Sequence, residues 1–106
     1  MTIYVIIWEY QVKAECVAEF EKIYASQGVW AQLFQKHSGY LGTELLRDST
    51  HPQRYITIDR WISAEAYNSF QTEWQDEYKE LDARCESLTD SELFLGTYYL
   101  HNLEER

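Results

Sequence analysis

GYLGTELLRD (residues 39–48), STHPQ (49–53), RYITIDRW (54–61) and SAEAYNSF (63–70) form the stretch whose reading decides the fold. It predicts a strand, a tight turn, a second strand ending on a Trp, and a capped helix. Gly39 and Gly42 punctuate the entry, where a residue without Cβ lets the backbone turn or approach closely. Leu41, Thr43 and Leu45 then alternate with other residues as a pleated strand requires. Pro52 cannot donate to a ladder and belongs in the turn. In the second strand Tyr55, Thr57, Asp59 and Trp61 share one face, and Ile56, Ile58 and Arg60 share the other. Ser63 stands where an N-cap oxygen would satisfy an orphan N–H, and Glu65 places negative charge in the first helical turn.

Outward from this hairpin, residues 3–12 (IYVIIWEYQV) are apolar on both faces until Glu9 and read as a central strand. Residues 14–25 carry Val17, Phe20 and Tyr24 at helical spacing, and Ser26-Gln27-Gly28 interrupts them. Trp30, Leu33 and Phe34 mark a second short helix that stops near His37 and Gly39. After the hairpin, Tyr67, Phe70, Trp74, Tyr78, Leu81, Cys85 and Leu88 keep a spacing of three or four. They predict one long helix, or two joined at a kink near residues 72–75. Residues 93–103 are a last strand, again apolar on both faces.

The order β-α-β-β-α-β predicts an α+β, ferredoxin-like fold over residues 1–106 as a single domain, a four-stranded antiparallel sheet with its helices on one face. Two helical layers cover one face only. The other face, apolar in the first and last strands, is expected to meet a second copy in a twofold homodimer.

Composition narrows the function classes. Acidic residues outnumber basic ones 18 to 9, and a net charge of −9 repels phosphate backbones and anionic lipid alike. No nucleic-acid or membrane role is expected, and a cytoplasmic location is. Cys16 and Cys85 fall on different predicted helices without Cys-x-x-Cys spacing and read as reduced, packed thiols. The three histidines do not pair at metal-ligand spacing, and no Gly-rich phosphate loop occurs, so no metal or other cofactor is expected.

The motifs W-E-Y in the first strand, G-V-W-A-Q-L-F in the first helical region, G-Y-L-G-T-E-L-L-R-D, Y-I-T-I-D-R-W-I-S, A-Y-N-S-F, and Y-K-E-L-D-A-R-C-E-S-L-T followed by L-G-T-Y resemble the antibiotic biosynthesis monooxygenase family of dimeric α+β barrels. The resemblance runs from about Tyr4 to Tyr98. It implies a cleft between sheet and helices in each subunit, on a scaffold that hosts cofactor-free oxygenases of polyketide aromatics and haem-degrading enzymes. The haem branch uses an Asn on the first strand and a Trp and a His on the second helix. Here the first strand offers Trp8, Glu9 and Tyr10, Phe70 stands near the Trp position, and no His occurs between His51 and His101, which disfavours haem. The polyketide branch pairs an aromatic cleft with a few polar groups, and Trp30, Tyr40, Arg60, Trp61, Tyr67, Asn68 and Trp74 supply such types.

The resemblance therefore implies a cofactor-independent monooxygenase acting on a small aromatic or quinone-like substrate. The alternative is a non-catalytic small-molecule-binding or dimerisation module. Such an oxygenase needs a dry pocket, substrate orientation and a donor for the developing oxyanion. The candidate substrate wall is Tyr67, Phe70 and Trp74 facing Trp61 and Tyr40, with Arg60 or His37 as the catalytic polar group. Each has a second reading: the aromatics as core or dimer interface, His37 as a partner of the helix dipole, and Arg60 as a cross-strand or dimer ion pair. Asp82 and Arg84 read as a solvated or interface charge cluster. An enclosed cavity of several hundred Å³ holding His37, Arg60 or a Tyr hydroxyl would favour an enzyme or binder over a packed module.

Overall fold

The structure, a computed structural model, describes residues 2–101. Its elements are β1 (Thr2–Val12), α1 (Val17–Tyr24), α2 (Val29–Phe34), β2 (Tyr40–Arg47), β3 (Arg54–Trp61), α3 (Ala64–Glu73), α4 (Gln75–Cys85) and β4 (Thr89–His101), with single 3₁₀ turns at Ala14–Cys16 and Glu86–Leu88. The strands form one antiparallel sheet in the order β2-β3-β1-β4. This is the α+β, ferredoxin-like arrangement. The end of the last predicted strand, at residues 102 and 103, lies outside the described residues.

Local chemistry accounts for the boundaries. Ser63 Oγ accepts the Ala66 N–H at 3.0 Å and starts α3, an N-cap worth about 1 kcal/mol. Trp74, at φ −115° and ψ 28°, leaves helical geometry and divides α3 from α4. The predicted stripe is thus two helices with a kink. The first helical region is shorter than its 14–25 pattern, because residues 14–16 wind as a 3₁₀ turn.

The hydrophobic pattern places the core between the sheet and the helices. Ile6, Tyr10 and Val12 of β1 and Tyr55, Thr57 and Trp61 of β3 are buried there. Phe20, Ile23, Tyr24, Trp30, Leu33, Phe34, Phe70, Leu81 and Cys85 pack onto them from the helices.

One residue of β2 departs from the alternation the sequence suggests. Tyr40 pairs with Trp61 and Gly42 with Arg60, so Leu41 is an extra residue in a bulge. Gly42 sits at φ +141°, a region that favours glycine. The bulge resets the phase: Thr43 is buried on the helix side, which it shares with the half-buried Tyr40, and Leu41 is turned to the open face, 48% exposed. Gly96, also at φ +141°, accompanies a matching irregularity in β4, where Ile7 pairs with Gly96 and Trp8 with Phe94.

The face away from the helices is apolar. Val5, Ile7, Ile56, Ile58, Leu46, Leu93, Tyr98 and Leu100 fall on it by register. Nearly all of β4, the edge strand, is exposed, including Leu93, Phe94, Tyr98, Tyr99 and Leu100.

Candidate functional site

Period-2 alternation puts Asp59 on the core side of β3, in phase with Tyr55, Thr57 and Trp61. A carboxyl there sits among aromatics. Small side chains beside it, Thr57 on β3 and Thr43 on β2, leave space that the surrounding rings do not fill. The result is a cavity of about 160 Å³. Trp8 and Tyr10 of β1, Tyr24 of α1, Trp30 and Phe34 of α2 and Tyr78 of α4 form its walls. Asp82, one turn beyond Tyr78 on α4, and Glu92 of β4 complete the lining, and both are exposed residues. They stand at the rim, and Asp59 lies deeper.

Asp59 is held by a short relay. Thr43 Oγ1 donates to Asp59 Oδ1 at 2.6 Å, and the Tyr40 hydroxyl lies 2.5 Å from the same Thr43 oxygen. The Thr43 proton is committed to the carboxylate, so Tyr40 is the donor in the second bond. Burial raises the Asp59 pKa from the ordinary 3.8 to about 6, against the Thr43 hydrogen bond, which lowers it. Burial also raises the phenols of Tyr10, Tyr40, Tyr67 and Tyr78, and each feels the Asp59 charge as a further increment. Asp59 is thus a titratable carboxyl surrounded by neutral tyrosines.

Of the five residues expected to form a substrate wall, Tyr40, Trp61, Tyr67 and Phe70 lie together and pack in or against the core. Trp61 and Phe70 are fully buried, with ring centroids 5.3 Å apart, and Tyr40 and Tyr67 each lie 5.3 Å from Trp61. None of these rings lines the cavity. Tyr67 accepts a hydrogen bond from Gln71 Nε2 at 2.6 Å. Trp74, at the kink, packs under the Lys36 ammonium 5.0 Å from its ring.

His37 Nδ1 accepts the Gly39 N–H at 2.9 Å, and Nε2 lies 3.8 Å from the Glu73 carboxylate. That geometry ties down the turn into β2. Arg60 points to the open sheet face and pairs with Glu44 across the hairpin. Neither reaches the cavity. Sequence reasoning passed over Asp59 and read Asp82 as solvated or interface charge; the signal for Asp59 was its phase with Trp61.

The cavity is smaller than the several hundred Å³ typical of drug-sized ligands. It matches the roughly 150 Å³ of an apolar cavity that accepts benzene. A single ring fits. Among the described residues no three His, Cys, Asp or Glu side chains converge as metal ligands do, and no helix is long and apolar enough to cross a membrane.

Comparison with known proteins bears on the family and the fold. The family described as antibiotic biosynthesis monooxygenase matches residues 3–84. SnoaB from Streptomyces nogalater, a cofactor-independent oxygenase, superposes with a TM-score of 0.75 at 18% identity, covering 96% of each chain. A Bordetella bronchiseptica protein carrying the same family name gives 0.69 at 18% identity, over 97% of this chain and 99% of that one. PA3566 from Pseudomonas aeruginosa gives 0.64 at 15% identity, over 97% and 96%. No curated protein matches the sequence.

Proposed function

Because the chain belongs to the antibiotic biosynthesis monooxygenase family, we propose that it is a cofactor-independent monooxygenase whose substrate is a small, single-ring phenol or hydroquinone held in the Asp59 cavity. The observation that carries this reading is a carboxyl with a pKa of about 6 inside an aromatic cavity of one-ring size. A general base works best when its pKa lies near the working pH.

Ionised Asp59 takes the proton of a ring hydroxyl. The electron-rich ring anion gives one electron to O₂, and the resulting radical pair combines to form a ring C–O bond. Cleavage of the O–O bond then releases one oxygen atom as water, using the proton returned by Asp59 and the proton lost from the ring carbon. Phenol plus O₂ thus gives quinone plus water, and the substrate supplies every electron. The aromatic walls orient the ring and exclude water, and the relay from Tyr40 through Thr43 keeps the carboxylate aimed.

The active form is a homodimer joined through the open sheet face. The apolar residues of β1, β3 and β4 on that face support this, since such a surface is otherwise left in water. Free thiols at Cys16 and Cys85 are in keeping with a cytoplasmic setting.

An oxygen electrode tests the activity. Uptake is expected with at least one single-ring phenol or hydroquinone, and Asp59→Asn is expected to lower it by about a hundredfold or more. Wild-type rates in that variant would remove Asp59 from the mechanism. Ligand binding without oxygen uptake would leave a binding module of the same fold.

A further inference from the structure

We infer that the natural ligand of the Asp59 cavity carries a positive charge, and that it is a single-ring phenol bearing an amine or ammonium tail. The inference rests on the cavity being the substrate site and deepens that reading.

Its first ground is the charge of the lining. Asp59, Asp82 and Glu92 all line the cavity, and no Lys, Arg or His does. Among the described residues, the acids in ion pairs are Glu9, Glu44, Asp48 and Glu73, all elsewhere. An anionic ligand would meet three carboxylates without a counter-charge. A neutral one would leave the two rim carboxylates to solvent and gain nothing from them.

The second ground is the kind of wall between them. Trp8, Trp30 and Tyr78 present the ring types that attract a cation within about 6 Å of the ring centroid. Trp30 and Tyr78 meet edge to face with centroids 5.0 Å apart, so one ring stands across the other. An organic cation suits such a wall.

The depth order assigns the two ends: ring hydroxyl toward Asp59, cationic tail toward Asp82 and Glu92 at the rim. Partial desolvation at the rim, and then the nearby charges of Asp82 and Glu86, raise the Glu92 pKa above the usual carboxylate range. A ligand cation relieves that crowding.

Three probes of equal ring and similar length separate the cases: tyramine (cationic), 4-ethylphenol (neutral) and 4-hydroxyphenylacetate (anionic). Calorimetric titration of the wild-type protein at pH 7.5 and low salt is expected to show tyramine binding about tenfold tighter than 4-ethylphenol, with the anion weakest. The ratio should shrink as ionic strength rises. In Asp82→Asn/Glu92→Gln it should fall to within about twofold. Equal affinities for cation and neutral probe, a preference that survives the double substitution, or no binding of any probe would each overturn the inference. Oxygen uptake on the same compounds keeps the two readings apart. A cation preference with no uptake would sink the oxygenase and leave the charge inference standing. Uptake with no cation preference would do the reverse.

Discussion

Asp59→Asn is the substitution with the most to say, because it should make the protein more stable and less active at once. Asn keeps the shape of the side chain, and its Oδ1 still accepts from Thr43, so the relay geometry survives. What disappears is the ionisation. Folding raises the Asp59 pKa from 3.8 to about 6, a difference of about two that, at ~1.36 kcal/mol for each tenfold in proton affinity, amounts to ~3 kcal/mol. For a carboxyl raised on folding, the native state holds its proton longer than the unfolded chain does. Stability from this group is therefore intact below about pH 4, falls as pH rises from there to about 6, and is lacking in full above that. The Asn variant escapes the penalty. Urea unfolding of both proteins at fixed concentration, from pH 4 to 8, should show no difference at the acid end. The gain should grow to ~3 kcal/mol at pH 7 and above, a midpoint shift of about 2 M at a slope of roughly 1.5 kcal/mol per molar. Taking the difference cancels the other acids, including Asp48, whose pKa is held low by hydrogen bonds from Thr50 and Arg54. A difference that is flat across this range, or a variant less stable at pH 7, would refute the assignment of a buried, charge-strained carboxyl.

Other outcomes follow from the same geometry. Thr43→Val removes the hydrogen bond that holds the Asp59 pKa down, so the acid limb of kcat/KM against pH should move upward; an unmoved limb would detach Thr43 from the base. Arg60→Ala should leave oxygen uptake within about twofold, since Arg60 faces away from the cavity and pairs with Glu44, and a tenfold loss would contradict that placement. Tyr98→Asp puts a charge on the open face, beside Val5 of β1, and should give the 12.7 kDa monomer by light scattering at micromolar concentration, whereas persistence of a dimer mass would move the interface elsewhere.

The sequence disclosed most of the fold because its signals are local. Ser63 caps α3 as its neighbours predict, Pro52 stays out of the ladder, and the two-faced apolar runs of β1 and β4 lie side by side. The kink at Trp74 was legible only as an alternative, since the spacing of three and four continues unbroken through it. Leu41 was misplaced because a bulge depends on the backbone freedom of Gly42, which alternation ignores. The cavity was hidden for a different reason. Its lining comes from β1, α1, α2, β2, β3, α4 and β4, and a void is what remains after all those side chains have packed. Even so, Asp59 shared a face with Trp61, whereas Arg60 sat in phase with Ile56 and Ile58. The alternation itself favoured the acid over the cation as the inward group.

β4 runs thirteen residues along an open edge, with large apolar side chains exposed on both faces. Long apolar edges invite pairing with whatever strand comes by. Solubility is then a property of the proposed assembly rather than of the single chain, and a newly synthesised copy is exposed to misassociation until it finds its own kind. Two restraints are built in: the strand opens with Asp90 and Glu92, gatekeepers at the end that leads into it, and the surplus of nine negative charges repels other acidic chains. Expression at high rate, or any substitution that slows docking of the second copy, should therefore appear first as inclusion bodies and only later as lost turnover.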